Sequence, residues 1–157
     1  MSKILPEKVQ QAIDDFKTIA GRFETPKGAC GNCQEASFQF CDFGKEIGLK
    51  CYAMQVEAFK GDPDGVEMNR QGMRQAEVKF QRRIEASVFR KMNDFIDPKD
   101  FVHNINLVKE GERLFFIDWT ARQFDEKADF PAVFTKDEMM EQWEKSNEDK
   151  ILAIALD

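Results

Sequence analysis

The chain contains one histidine, His103, and four cysteines, at positions 30, 33, 41 and 51. Any chemistry that couples a thiol to an imidazole must therefore use His103. An acid partner follows 15 residues later: Asp118, beyond the turn Lys-Glu-Gly-Glu (109–112) that joins FVHNINLV (101–108) to RLFFIDWT (113–120). These two segments form the clearest hairpin in the sequence. In register about Glu110 and Gly111, His103 and Asp118 come opposite one another, and cross-strand neighbours hold their Cβ atoms about 4.5–5.5 Å apart. A carboxylate in that position accepts a hydrogen bond from one imidazole nitrogen and fixes the tautomer and orientation of the ring.

The nucleophile needs a different setting, because the thiolate attacks and the thiol does not. A helix N-terminus and a nearby imidazolium both favour the thiolate. Cys33 stands where the glycine-rich stretch GRFETPKGACGN gives way to a helical pattern, with Ala36, Phe40, Phe43 and Ile47 on one face and Gly48 as the stop. Backbone N–H groups at such an end have no intrahelical acceptor and can serve a developing oxyanion. Cys30 lies in the loop, Cys41 inside the helix and Cys51 in a strand, so Cys33 has the most favourable site of the four. Asn32, at the loop–helix junction, and Trp119 and Gln123, just beyond Asp118, are candidates for oxyanion or substrate contacts. Packing is the alternative for Trp119 and Gln123.

Two other chemistries share these cysteines. Cys30-Gly-Asn-Cys33 fits the C-x-x-C template, but a redox motif of that type is expected after a strand in a βαβ unit. As half of a zinc site it needs two further ligands, and Cys41, Cys51 and His103 offer no second paired spacing. A zinc-stabilised protein-interaction domain stays open on this basis, and no cofactor is expected.

The elements that must position these groups follow from periodicity. Leu5, Val9, Ile13, Phe16 and Ala20 predict a helix over 6–21 opened by Pro6. Residues 49–59 predict a strand and GDPDG (61–65) a turn. Met73, Ala76, Phe80, Ile84, Val88 and Met92 suit a helix within 66–96, ended by DPKD (97–100). Thr135 and Glu138 form a capping-box signature for a helix over 136–146, and ILAIAL (151–156) predicts a closing strand. Phe38, Phe40, Phe43, Phe115 and Phe116 are expected in the core. The fold class is α+β, an N-terminal catalytic helix packed on an antiparallel sheet, in a single domain over residues 1–157.

Composition bounds the partners. The charge of −6, from 23 basic and 29 acidic residues, argues against a phosphate-tracking nucleic-acid binder, although Arg82, Arg83, Arg90 and Lys91 are a local basic group. No apolar run approaches membrane-spanning length. The first residues carry no secretory h-region, so reduced thiols and a cytoplasmic setting are expected.

The order GNCQEAS opening a helix, then a strand carrying His, then a strand ending in Asp-Trp-Thr, resembles the papain-like and transglutaminase-like cysteine enzymes. The stretch IDWTARQFD is similar to segments of papain-fold toxins and protein deamidases. The resemblance covers about residues 28–131. It implies acyl chemistry on an amide of a protein or peptide substrate, as peptidase, glutamine deamidase or transamidase. Cys33 would be the nucleophile, His103 the base and Asp118 its orienting partner. No Gln shortly before Cys33 matches the papain-type oxyanion residue. His103 is followed by NINLV rather than the transglutaminase W-x-E-V, which favours hydrolysis over transamidation. A catalytically inactive binding or inhibitory module on the same fold is the other reading that this pattern allows.

Overall fold

The computed structural model describes residues 4–61, 64–65, 102–146 and 151. The expected helix within 66–96, its DPKD terminator and the basic residues Arg82, Arg83, Arg90 and Lys91 lie outside the described residues. So does the closing strand, except for Ile151, which is buried with a helical backbone.

The first helix, α1 (Glu7–Lys17), buries Val9, Ala12, Ile13 and Phe16, the single face that three- and four-residue spacing produces. Burying side chains such as Val9, Ile13 and Phe16 contributes about 1.5–3 kcal/mol each. This helix is shorter than the periodicity predicts, and Ala20 is instead followed by a single 3-10 turn, Gly21–Phe23. The glycine-rich stretch then contains a short helix, α2 (Pro26–Ala29), in which the Thr25 side chain accepts from Gly28 N–H at 3.0 Å. Gly28 is required by close approach, since a Cβ there would overlap the carbonyl of Arg22. The helix α3 (Cys33–Glu46) follows, with Ala36, Ser37, Phe40, Cys41 and Gly44 buried. Phe38 departs from the expected core and is exposed, because its position falls on the outer face of α3.

The sheet consists of β1 (Lys50–Phe59), β2 (Val102–Glu110), β3 (Arg113–Asp118), β4 (Ala132–Phe134) and β5 (Trp143–Ser146). Its spatial order is β4-β3-β2-β1-β5, and each neighbouring pair is antiparallel. One face packs Cys51, Val108, Phe115, Ile117 and Trp119 against α1 and α3. The other buries Met54, Val56, Ile105, Leu107 and Phe116 with Phe124, Met139, Trp143 and Ile151.

Two elements differ from the sequence pattern in ways that bear on the site. The turn between β2 and β3 is two residues, Gly111 and Glu112, closed by the pair Glu110↔Arg113. Gly111 sits at φ 62°, the left-handed conformation that the first position of a tight hairpin turn demands. Continued along the strands, this register sets His103 two residues from direct opposition to Asp118, as a diagonal neighbour. A shift of two residues preserves the face on which a side chain lies, whereas a shift of one reverses it. The second difference is α4 (Lys136–Gln142). It has the expected capping box of Thr135 and Glu138 but ends four residues early, and 143–146 become β5. The free edge of β1 pairs there, Phe59 with Trp143 and Val56 with Ser146, and Trp143 is buried against the sheet.

Candidate active site

Cys33 is the first residue of α3, and the first intrahelical bond there is Ala36 N–H to Asn32 O at 2.9 Å. The N–H groups of Cys33, Gln34 and Glu35 therefore have no partner within the helix, and the positive end of the helix dipole lies at the sulfur. Ser37 donates back to Cys33 O at 2.8 Å and steadies this first turn. Asn32 is the N-cap, but its side chain does not cap. It donates to Gly28 O at 2.7 Å, so its amide is committed to holding the loop against α2.

On β2, consecutive residues serve opposite sides of the sheet, as period-two alternation requires. Asn104 and Asn106 serve the α3 side. Asn106 Nδ2 donates to Ser37 O at 2.8 Å and ties the helix to the sheet, and Asn104 Nδ2 lies 3.8 Å from Cys33 Sγ. His103 packs among the residues of the other side, yet still reaches Cys33 at the start of α3 with a hydrogen bond. Its ring stacks on Trp143 at 5.2 Å and 17°, and meets Phe124 edge-on at 5.3 Å. These two rings fix the imidazole plane and leave the residue 1% exposed.

His103 Nε2 is 2.8 Å from Asp118 Oδ2. The other carboxylate oxygen, Oδ1, accepts from Thr120 N–H at 2.9 Å and Thr120 Oγ1 at 3.3 Å. Gln123 Nε2 in turn donates to Thr120 Oγ1 at 3.1 Å. Gln123, 5% exposed, thus stands behind the acid and supports its orientation. Trp119 points to the α1–α3 side, packed on Phe16 at 4.8 Å, Phe40 at 5.3 Å and Phe130 at 5.4 Å. It is 2% exposed and offers no surface to a substrate, so its position is that of a core residue. A cavity of about 380 Å³ opens beside Asp118, between Phe59, Phe124 and Phe134, but neither Cys33 nor His103 lines it.

The electrostatics follow from these contacts. Burial is the largest influence on Cys33 and disfavours its thiolate. A hydrogen bond and the charge of His103, with backbone and side-chain hydrogen bonds from Asn104, outweigh it and bring the thiol from 9.0 down to about 7. Burial also disfavours the His103 imidazolium, but the charge and hydrogen bond of Asp118, followed by the interaction with Cys33, raise it from 6.5 to about 10. Between those values the thiolate–imidazolium pair is the stable form. With Nε2 on Asp118, Nδ1 is the nitrogen left for Cys33.

Compared with known protein families, curated proteins and solved structures, the chain matches none.

Cys41 is also brought below 9.0, to about 6, chiefly by a hydrogen bond with Cys51, whereas Cys30 moves the other way. Cys30 is buried, and burial followed by the neighbouring Cys33 charge pushes it up to about 11, so it is a thiol where Cys33 is a thiolate. Cys41 donates to Cys51 O at 3.1 Å across the α3–β1 contact. Among the described residues, no group of three or more His, Cys, Asp or Glu side chains could hold a metal ion, and no helix is long and apolar enough to cross a membrane.

Two residues at this site, Trp143 and Asn104, were not singled out from the sequence. Trp143 and Phe124 clamp the imidazole, and Asn104 faces the sulfur. Asn104 carries a legible signal: two Asn at alternate positions of an otherwise apolar strand mark the face that meets something polar.

Proposed function

We propose that this protein is a thiol hydrolase of papain-like or transglutaminase-like type, acting on amide bonds of a protein or peptide through a Cys33–His103–Asp118 triad. The observation that carries the reading is one imidazole bonded on Nε2 to a buried, doubly anchored carboxylate and interacting through its other side with a thiol at a helix N-terminus. Two contacts on a single ring from residues 15 and 70 positions away are more than packing needs, and they match the division of labour in nucleophilic catalysis.

In the proposed reaction the Cys33 thiolate adds to the amide carbonyl carbon, forming a C–S bond as the π electrons move to oxygen. The N–H of Cys33 is placed to donate to that oxygen. Collapse expels the amine or ammonia, which takes its proton from the His103 imidazolium and leaves a thioester. Neutral His103 then removes a proton from water as the water attacks the thioester carbon. The second tetrahedral species releases the carboxylic acid and restores the thiolate and imidazolium. Asp118 stays ionised throughout and holds Nε2.

The test is incubation of the wild type and Cys33→Ala with peptide and protein panels, read by mass spectrometry for new termini and for glutamine-to-glutamate changes. The acyl-enzyme is trapped with hydroxylamine as the substrate hydroxamate. Products and a hydroxamate that require Cys33 support the proposal. A folded wild type that leaves every panel member unchanged and forms no acyl-enzyme favours the inactive binding module.

A further inference from the structure

The proposed reaction needs a second oxyanion donor besides the N–H of Cys33, and the residue expected to supply it, Asn32, has its amide bound to Gly28 O at 2.7 Å. We infer that Asn104 is that donor: its side-chain carboxamide, next to the catalytic histidine on β2, hydrogen-bonds the oxygen of the tetrahedral intermediate formed on Cys33. This inference rests on the thiol-hydrolase reading and adds to it a catalytic residue supplied by the strand rather than by the loop before the nucleophile.

The geometry favours this role over simple anchoring of the sulfur. Asn104 Nδ2 donates to Cys33 Sγ over 3.8 Å, a long hydrogen bond. An oxygen on the carbon newly bonded to sulfur, at an ordinary N–H···O distance of about 2.9 Å from Nδ2, closes a triangle on that 3.8 Å side. Nδ2 is therefore within hydrogen-bonding reach of such an oxygen without moving. Access agrees with this. His103 is buried, whereas Cys33 and Asn104 are both half-buried, so neither residue is sealed from solvent as the imidazole is. The adjacent Asn106 shows the contrasting, structural use of the same side chain: it is fully buried and bonded to Ser37 O at 2.8 Å.

The electrons balance without any added reagent. As the Sγ–C bond forms, the carbonyl π pair moves to oxygen, and the N–H groups of Cys33 and Asn104 stabilise it by hydrogen bonds without transferring a proton. On collapse that pair re-forms the carbonyl, and the leaving group departs with the His103 proton.

The experiment compares two reactions of Cys33. Acylation by p-nitrophenyl acetate places negative charge on a carbonyl oxygen, whereas alkylation by iodoacetamide is a displacement with no oxyanion. Each rate is taken across pH to its thiolate plateau, so that a change in the ionised fraction of Cys33 cancels. In Asn104→Leu, close in shape and without a donor, the acylation-to-alkylation ratio is expected to fall about 100-fold, the usual effect of one lost oxyanion donor. Asn104→Ala repeats the test with less bulk, in case the leucine perturbs the fold. An unchanged ratio in the folded variants overturns the inference while leaving the Cys33–His103 pair intact. A wild-type Cys33 that titrates like an ordinary thiol overturns the hydrolase reading itself, and this inference with it.

Discussion

Replacing His103 with alanine is expected to move the alkylation profile of Cys33 by more than two pH units, and the structure sets the size of the effect. In the wild type the thiol ionises at about 7 rather than 9.0, although burial, the largest single influence, works in the opposite direction. A lowering of two units corresponds to about 3 kcal/mol of preference for the thiolate. Half of Cys33 is then thiolate at pH 7, against about 1% of a thiol ionising at 9.0. Without the imidazolium, burial opposes only the Asn104 hydrogen bonds, and the inflection should rise above 9.0. The absolute rate is a weaker guide, because thiolate nucleophilicity falls with pKa at a Brønsted slope of about 0.4–0.5. The roughly 50-fold gain in thiolate at pH 7 therefore shrinks to about 5–8-fold in rate. The assay is iodoacetamide alkylation from pH 5 to about 11, resolved by peptide mass spectrometry so that Cys30, with its thiol near 11, serves as an internal control. An inflection at the same pH in wild type and His103→Ala would refute the reasoning, since the lowering would then owe nothing to the imidazolium.

Under the proposed mechanism, hydrolysis by the wild type follows a bell in pH, rising through about 7 as Cys33 ionises and falling through about 10 as His103 loses its proton. In Asp118→Asn the charge that holds the imidazolium is gone and burial dominates, so the alkaline limb should move to lower pH and the Cys33 inflection upward; an unmoved alkaline limb in kcat/KM would show that Asp118 does not govern His103. Trp119→Ala should cost about 3–5 kcal/mol in urea unfolding, the loss typical of a truncated core aromatic. Trp119→Phe should keep most of that stability with KM unchanged, and a raised KM at wild-type stability would place Trp119 at the substrate after all.

The residues of the candidate site were legible in the sequence because scarcity and local pattern restrict them. One histidine leaves no choice of base, and a glycine-rich run before an apolar helical face puts Cys33 at a helix start whatever the rest of the chain does. The alternation around His103 and Asp118 marks a hairpin for the same local reason. Its register was not legible to the residue: the Gly111–Glu112 turn shifts the pairing by two, a choice made by the turn backbone together with the packing of both faces. The two residues stayed on one face only because the shift was even.

The contacts that turn candidates into an array depend on elements distant in sequence. Residues 143–146 have a helical pattern and a helix cap behind them, yet they form β5, because the edge of β1 offers hydrogen bonds and a buried slot for Trp143. That tertiary decision supplies the ring on which His103 stacks. Asn32 and Trp119 show the reverse: each has the right type and position in sequence, but the loop takes the amide of one and the α1–α3 core takes the indole of the other. Sequence by itself fixes which groups can react and which local element carries them, since those depend on neighbours a few residues away. Which lone pair faces which donor, as for Asn104 at the Cys33 sulfur, depends on distances of a few ångströms between segments 71 residues apart, and only the packed structure sets those.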